Sequence, residues 1–337
     1  MREIELNIGG KVSKILIGES IENISKYVPE NCIVITDKNV SSIYGKSFNK
    51  YPVIEIEPGE ESKCYATIEN IFRKLIELKA DRDAFIVGIG GGVVTDISGF
   101  VASIFKRGLK FGYIATTLLG QVDASIGGKN GINFYGVKNM LGTINQPEFI
   151  LSDLNLLRSL PEKEVRNGLA EIVKTALILD YNFFDFIKVN FEKVISLDKD
   201  VLEEIVFRTA AIKSEVGRKD ERENGIRRLL NFGHTIGHAL ESVLGLSHGE
   251  AISIGMIKAI EISIGKLNLN REVLETVRKL LVRIGLPVER KFDSGKVFEA
   301  MVNDKKRFDN KIKFVLLKDI GKAEIVEIGI DELRRYL

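Results

Sequence analysis

The stretch FIVGIGGGVVTDISGF, residues 85–100, combines a β-rich apolar run, a glycine turn and the start of a helical pattern. A strand that ends in glycines and opens a helix is typical of phosphate binding, because the backbone can approach the ligand and the first helical N–H groups face it. The match to the common dinucleotide fingerprint is partial, since Gly88 and Gly90 occupy its first two glycine positions but Val93 occupies the third. The alternative is a tight turn in which the glycines supply positive φ.

The sequence on both sides of this turn alternates between strand and helix patterns. Short β-rich runs are found in EIELNI, KILIG, CIVITD, VIEIE, AFIVGIGGG and FGYIATT. Apolar residues at helical spacing are found in YATIENIFRKLIELK and VVTDISGFVASIF. This alternation predicts an α/β domain with a parallel sheet and crossover helices over residues 1–156. Asp37, which closes CIVITD, is either a ribose-binding or a helix-capping aspartate.

The second half of the chain has a different pattern. From SLPEKEVRNGLAEIVKTALIL onward it is mostly helical, and KIKFVLL and KAEIVEI predict a hairpin near the end. We therefore expect a second, mainly α-helical domain over residues 157–337. The glycine-rich segment 119–142 fits neither period and is either a long linker or a functional loop.

Composition narrows the range of partners. The 337 residues carry a net charge of +2, so no nucleic-acid partner is expected, and any anion site requires local clustering of Lys and Arg. No apolar run of about 18 residues occurs, so no membrane span is expected. Two isolated cysteines, Cys32 and Cys64, make no disulfide framework, and we expect a cytoplasmic protein.

The three histidines of the chain, His234, His238 and His248, all lie within fifteen positions. His234 and His238 share one helix face, as in His-Glu-x-x-His zinc sites, but Thr235 replaces the glutamate. Core or surface roles are the alternative for such a pair. A catalytic zinc usually takes three protein ligands. Glu171 is a plausible one, because its neighbours are apolar and an unpaired charge there would be costly.

Several cations stand in or beside apolar or glycine-rich surroundings. Each of them could instead be an ordinary surface cation whose aliphatic stem covers apolar neighbours. Together they favour an anionic ligand, since Lys and Arg both bind phosphate well. The cations are Arg107, Lys129, Lys138, Lys174, Lys213 and Arg227, and two amides, Asn139 and Asn231, lie near them in the sequence.

Ordered motifs along nearly the whole chain resemble the 3-dehydroquinate synthase family of the sugar phosphate cyclase superfamily. They are GGGVVTD, TTLLGQVDASIGGK, GVKN, GLAEIVK, LNFGHTIGHALE and HGEAISIGM, and DASIGGK with NFGHTIGHALE is the most specific combination. The resemblance implies a Rossmann-like N-terminal domain that holds NAD+ and a mainly helical C-terminal domain that holds one divalent metal, Zn2+ or Co2+. It also implies a homodimer in which Arg107 reaches the neighbouring active site.

The resemblance also assigns roles to individual residues. The implied metal ligands are Glu171, His234 and His248, whereas His238 is implied as a non-ligand at the active site. The implied NAD+ contacts are Asp37, Asn39, Glu60, Lys63, Gly91, Gly92, Val93, Asp96, Thr116, Thr117, Lys129 and Lys138. The implied substrate contacts are Arg107, Asp123, Lys129, Lys138, Asn139, Lys174, Lys213, Glu223, Arg227, Asn231, His238 and Lys305, with Lys306 as the alternative to Lys305. The implied catalytic residues are Lys129, Lys174, Lys213, Glu223 and His238.

The reaction implied by the family converts 3-deoxy-D-arabino-heptulosonate 7-phosphate to 3-dehydroquinate and phosphate, in the shikimate route to aromatic amino acids. It proceeds by transient oxidation at C5, β-elimination of phosphate, re-reduction and an intramolecular aldol reaction. The alternatives are another sugar phosphate cyclase of the same fold, a metal- and NAD-dependent polyol dehydrogenase, and a non-catalytic NAD-binding module. Lys213, Arg227 and Asn231, in the region that receives the carboxylate, favour the dehydroquinate branch.

Overall fold

The computed structural model of the protein describes residues 1–304 and 310–337, with the backbone alone at 303 and 304. The chain forms two compact units. The first contains residues 1–160 and 202–221, and the second contains residues 161–201 and 222–337. Lys305 and its alternative Lys306 lie outside the described residues.

The first unit is built on a seven-stranded sheet with the order β1-β2-β9-β6-β5-β3-β4. A separate two-stranded hairpin pairs β7 with β8. The strands are β1 (Arg2–Ile8), β2 (Lys11–Ile17), β3 (Cys32–Asp37), β4 (Val53–Ile56), β5 (Phe85–Gly90), β6 (Lys110–Ala115), β7 (Lys129–Phe134), β8 (Val137–Ile144) and β9 (Phe149–Ser152). The helices are α1 (Lys38–Tyr44), α2 (Tyr65–Glu77) and α3 (Gly92–Ile104).

The core of this unit consists of strands that are buried on both faces of the sheet. Within the seven-stranded sheet, β1 and β2 pair antiparallel, and all the other neighbouring strands run parallel. Ile35, Val87, Ile114 and Leu151, on four adjacent strands, are fully buried. Central parallel strands are covered on both faces and therefore read as continuous apolar runs. The predicted α/β domain with crossover helices is confirmed.

Sequence patterns missed the strand β9. It has four residues, FILS, all of them buried, and it lies between β2 and β6. A short apolar run has no periodicity that separates strand from buried helix, so tertiary pairing alone decides its type.

The segment 119–142, for which the sequence predicts a long linker or a functional loop, is not a linker, because much of it forms regular structure. It contains a π-helical turn at Gly120–Ala124, the strand β7 and most of β8. Tyr135 and Gly136 join the two strands with φ of 48° and 75°. Positive φ at both central residues is the mark of a type I′ turn, which matches the twist of a hairpin.

The second unit is mostly helical and ends in a hairpin, as the sequence predicts. The helices are α4 (Glu162–Leu179), α5 (Tyr181–Ile195), α7 (His234–Leu244), α8 (His248–Leu267), α9 (Arg271–Ile284), α10 (Ser294–Asp304) and α11 (Ile330–Leu333), and the hairpin pairs β10 (Lys311–Asp319) with β11 (Lys322–Gly329). Helix α6 (Lys199–Lys219) belongs to the first unit from residue 202 onward. Within the described ranges, no helix combines the length and apolar character that crossing a bilayer requires.

Residues 202–221 pack within the first unit, whereas the sequence placed them in a second domain over 157–337. The Arg2 guanidinium lies 2.6 Å from the Glu204 carboxylate and 3.3 Å from the centroid of the Phe207 ring. Lys213 Nζ lies 2.6 Å from Asp123 Oδ1. Helical periodicity identifies the helix but carries no information about its packing partners, so the sequence boundary at 156/157 could not anticipate this return.

Helices α7 and α8 approach each other at backbone distance. A Cβ added at Gly255 in α8 would overlap the Gly233 carbonyl oxygen at the start of α7 and lie 2.9 Å from the Gly237 nitrogen. Glycine at this position therefore lets the two helices touch, and their first residues are His234 and His248.

Gly255→Ala is expected to lower the free energy of unfolding by about 1–3 kcal/mol, the cost of overpacking a tight contact. Gly265→Ala is the matched control in the same helix, since its Cβ would lie an ordinary 3.7 Å from Tyr336 Oη. The control should be neutral or stabilising by up to about 1 kcal/mol. Urea denaturation of both variants measures the difference, and equal stabilities would contradict the packing argument.

Candidate functional site

Helix α4 carries a buried ion pair. Glu171 and Lys174 stand one turn apart, and both side chains are nearly inaccessible to solvent. Lys174 Nζ donates to Glu171 Oε2. A carboxylate this deeply buried needs compensation, and the ammonium supplies it on one of the two carboxylate oxygens.

Two histidines face the other oxygen of Glu171. Oε1 lies 3.5 Å from Nε2 of His234 and 3.4 Å from Nε2 of His248. Bonds of about 2.0–2.2 Å in a tetrahedral zinc shell place neighbouring donor atoms about 3.3–3.5 Å apart. Oε1 is also buried and accepts no hydrogen bond. The three donors therefore fit a divalent metal that takes two imidazoles and one carboxylate oxygen.

The second nitrogen of each imidazole faces an oxygen. His234 Nδ1 lies 3.0 Å from the Phe232 carbonyl oxygen, and His248 Nδ1 lies 3.5 Å from Glu241 Oε2. Such partners fix the ring so that Nε2 is presented as a ligand. Sequence reasoning missed Glu241. Its signal was the spacing after His238, which puts both on one face of α7.

His238 lies beside this group. Its ring centroid is 5.0 Å from that of His234 and 6.2 Å from that of His248. Among the described residues, two groups could hold a metal: Glu171, His234 and His248, or His238, Glu241 and His248. The first contains the fully buried carboxylate oxygen that accepts no hydrogen bond, so the geometry favours it.

The electrostatics of the group favour a positive charge. Burial raises the pKa of Glu171, but Lys174 and His248 outweigh it and hold the pKa below its usual value. Burial, followed by Lys174, holds the pKa of His234 well below its usual value, which keeps this ligand neutral. Burial also opposes the charged form of His248, yet Glu171 and Glu241 raise its pKa to about 10. A metal at this position must therefore displace a proton from His248.

The glycines of the turn after β5 are required by close packing and not by a positive φ. Gly88, Gly90, Gly91 and Gly92 all have ordinary φ, so the turn alternative stated from the sequence is wrong on this point. Added Cβ atoms at Gly91 and Gly92 would instead lie 3.0 Å from Thr117 and Ala124 side chains. No side chain caps the N-terminus of α3. The turn therefore offers unobstructed first-turn amides, which suit an anion.

Other residues predicted for the cofactor lie around the carboxyl ends of the strands. Lys63, almost fully buried, pairs with Asp96 and lies 2.6 Å from Asn139 Oδ1. Burial raises the pKa of Asp96 to about 6, although Lys63 opposes the shift. Asp37 accepts a 2.9 Å hydrogen bond from the Val40 nitrogen, so it does cap α1, as the capping alternative held. Asn39 lies in the first turn of α1, and Val93 lies in the first turn of α3.

Thr116, Thr117 and Glu60 are also predicted to bind the cofactor. The Thr116 nitrogen donates to the Gly90 carbonyl oxygen over 2.9 Å. The Thr117 hydroxyl accepts from the Gly120 nitrogen over 2.9 Å. Glu60 begins a single 3-10 turn that runs to Ser62. The two threonines therefore connect to the end of β5 and to the start of the π-helical turn, whereas Glu60 lies in a separate turn.

The substrate candidates are divided between the units. In the first unit, Lys129, Lys138 and Asn139 lie on the β7–β8 hairpin. Arg107 is exposed and has φ of 72°. Lys213 Nζ contacts both Oδ1 and the carbonyl oxygen of Asp123. In the second unit, Arg227 is buried and the Asn231 amide donates to the Glu223 carboxylate. The structure therefore brings Asp123 to Lys213, Glu223 to Asn231, and Lys174 to the three predicted ligands.

Comparisons with known proteins agree with this chemistry. Residues 53–167 match the model of the 3-dehydroquinate synthase N-terminal region, and residues 168–307 match that of the C-terminal region. The chain is 42% identical over 336 residues to 3-dehydroquinate synthase from Thermodesulfovibrio yellowstonii, covering 98% of this chain and 93% of that protein. The chain belongs to the 3-dehydroquinate synthase family.

Solved structures extend the likeness of this 3-dehydroquinate synthase family member to the whole fold. It is similar to 2-deoxy-scyllo-inosose synthase complexed with carbaglucose-6-phosphate, NAD+ and Co2+, with a TM-score of 0.89, 26% identity, and 99% and 98% of the two chains covered. It is equally similar to the 2-epi-5-epi-valiolone synthase of Streptomyces hygroscopicus subsp. jinggangensis with NAD+ and Zn2+ bound, with a TM-score of 0.89, 26% identity, and 100% and 98% covered.

His234→Ala is expected to abolish binding of Zn2+ or Co2+, because it removes one of the donors that face Glu171 Oε1. His238→Ala, one helical turn away, is the matched control and should retain the metal. Equilibrium dialysis followed by elemental analysis measures the stoichiometry, with circular dichroism to verify folding. Metal loss in His238→Ala alone would move the site to the group that contains Glu241.

Proposed function

We propose that the protein is a 3-dehydroquinate synthase that converts 3-deoxy-D-arabino-heptulosonate 7-phosphate to 3-dehydroquinate and phosphate, with NAD+ and one divalent metal, Zn2+ or Co2+. The observation that carries the proposal is the buried Glu171 carboxylate faced by His234 and His248, in a chain of this family. When bound, NAD+ supplies a reversible hydride acceptor and the metal ion polarises substrate oxygens.

Each unit supplies part of this chemistry. In the first, the N-terminus of α3 at Gly91 and Gly92 offers amides to the cofactor pyrophosphate, with Lys63 and Asp96 beside the same edge of the sheet. In the second, Glu171, His234 and His248 would hold the metal, while Lys174 neutralises the second carboxylate oxygen. With Oε2 engaged by Lys174, Oε1 would be the carboxylate oxygen that binds the metal.

The substrate is an anion with a carboxylate and a phosphate, and it carries roughly three negative charges when the second phosphate pKa is near 6. A net charge of +2 gives no general attraction, so local cations must bind it. Lys129 and Lys138 on the hairpin and the ammonium of Lys213, held in place by Asp123, are candidates in the first unit. Arg227, buried and therefore fixed, is a candidate in the second.

Lys129, Lys213 and His238, together with water, are the candidate proton carriers of this proposal. The catalytic residues of this proposal are Lys129, Lys174, Lys213, Glu223 and His238. The leaving phosphate is itself a base, and taking the C6 proton would remove the need for a dedicated side-chain base. Cations that position the phosphate then contribute to rate as well as affinity, because the leaving group is a reactant.

The proposed function includes a homodimeric assembly and a cytoplasmic location. We expect a homodimer in which Arg107, exposed and held at a left-handed φ, reaches the neighbouring active site. We also expect a reducing cytoplasm, since both Cys32 and Cys64 are free thiols.

Metal-loaded protein incubated with the heptulosonate phosphate and NAD+ is expected to release phosphate and 3-dehydroquinate in equal amounts, with no net NADH. A phosphate assay and mass spectrometry measure the two products, and the absorbance of NADH tests for net reduction of the cofactor. Sedoheptulose 7-phosphate is the comparison substrate, because it lacks the carboxylate. Turnover of that sugar instead would identify another cyclase, and net NADH with a polyol would identify a dehydrogenase.

Arg227→Lys is expected to raise KM for the heptulosonate phosphate about 10-fold or more, since a charge-assisted hydrogen bond contributes about 1.5–3 kcal/mol and lysine cannot reproduce the guanidinium fork. Arg283→Lys is the control, because Arg283 is an exposed surface residue paired with Glu192. Steady-state kinetics decide the question, and an unchanged KM in Arg227→Lys would remove this residue from substrate recognition.

A further inference from the structure

A closed hydrogen-bond network surrounds Asn133, a residue with no role in the site described so far. Its side-chain Nδ2 donates to Glu60 Oε1 over 2.8 Å, and its backbone nitrogen donates to the Lys63 carbonyl oxygen over 2.8 Å. Its Oδ1 accepts from the Asn139 nitrogen over 2.9 Å. One asparagine thus joins the turn 60–63 to the hairpin strand that carries Lys138 and Asn139.

The β7–β8 pairing explains why Asn133 is available for these contacts. Ile132 pairs with Leu141 and Phe134 pairs with Val137, so the register shifts at Asn133. Residues 138–140 stand opposite this single residue, and its backbone nitrogen is therefore not used within the hairpin. Bulges of this kind redirect side chains and are common next to active sites.

The network closes through a buried ammonium. Lys63, whose side chain is 6% exposed, donates to Asn139 Oδ1 and pairs with Asp96. Asn139 adopts φ of 52°, a left-handed conformation that costs about 1 kcal/mol or more and persists only where contacts enforce it. The contacts that enforce it are its nitrogen to Asn133 and its side chain to Lys63.

We propose that Asn133 is a positioning residue that ties the cofactor turn 60–63 to Lys138 and Asn139, so that NAD+ and the sugar phosphate each bind to a geometry set by the same side chain. This inference rests on the proposed function, since it takes Glu60 and Lys63 as cofactor residues and Lys138 and Asn139 as substrate residues. Asn133 itself contacts neither ligand. It acts through the orientation of its neighbours.

Asn133→Asp in the full-length, metal-loaded protein tests the proposal. The change keeps the acceptor for the Asn139 nitrogen but removes the donor to Glu60 and sets two carboxylates against each other. Loss of a hydrogen bond to a charged group predicts a rise of about 10- to 100-fold in the Kd for NAD+ and a similar fall in kcat/KM for the heptulosonate phosphate. Calorimetry with NAD+ measures the Kd independently of turnover.

Further variants separate positioning from a general loss of structure. Glu60→Gln alone reports the direct contribution of the Glu60 carboxylate to NAD+ binding and keeps an acceptor for Asn133. Glu60→Gln combined with Asn133→Asp exchanges donor and acceptor in an amide–carboxylate pair, so the double variant should bind NAD+ as tightly as Glu60→Gln does. Asn145→Asp is the matched control just past β8, where Oδ1 accepts from Lys11 over 2.7 Å. It should bind NAD+ as the wild type does.

The outcomes are distinct. Unchanged NAD+ affinity and kcat/KM in Asn133→Asp would overturn the inference, and so would an equal loss of NAD+ affinity from Asn133→Asp in the wild-type and Glu60→Gln backgrounds. A wild-type protein that binds NAD+ but does not convert the sugar phosphate would overturn the proposed function, while the NAD+ affinities of the variants still decide the role of Asn133 toward the cofactor turn. A wild-type protein that binds no NAD+ would overturn both.

Discussion

The buried carboxylate of Glu171 is the constraint on which the arrangement of the second unit depends. An isolated carboxylate out of water costs several kcal/mol or more, so the fold must surround it with compensation. Lys174 pairs with one oxygen, and the other oxygen faces two imidazoles at 3.4–3.5 Å. Three potential ligand atoms converge beside that second oxygen, and a divalent metal held there would supply a further positive charge.

The arrangement of helices follows from this requirement. His234 and His248 are the first residues of α7 and α8, so both reach Glu171 only if the two helices approach closely. The glycine at position 255 permits that approach at backbone distance. The placement of these candidate metal ligands therefore depends on how closely the two helices pack, and a methyl group added at position 255 would disturb both.

The first unit contains the candidate anion-binding groups of a protein with a net charge of only +2. Its glycines bring α3 close to neighbouring loops, and its lysines are fixed by partners. Lys63 is held by Asp96 and Asn139, and Lys213 is held by Asp123. Fixed cations lose little freedom when a ligand arrives, so a few of them can replace a general positive field.

Local sequence patterns were enough to predict the α/β and helical halves, the glycine turn and the family, because periodicity and ordered motifs are local properties of the chain. They also identified Glu171, His234 and His248 as candidates. Tertiary contacts were needed to establish that β9 is a strand, that 202–221 packs in the first unit, and that segment 119–142 contains a bulged hairpin. The spacing of His234 and His238 favoured a shared metal, but their orientation depends on α4 and α8. Contacts between residues far apart in sequence decide such features, and no local pattern records them.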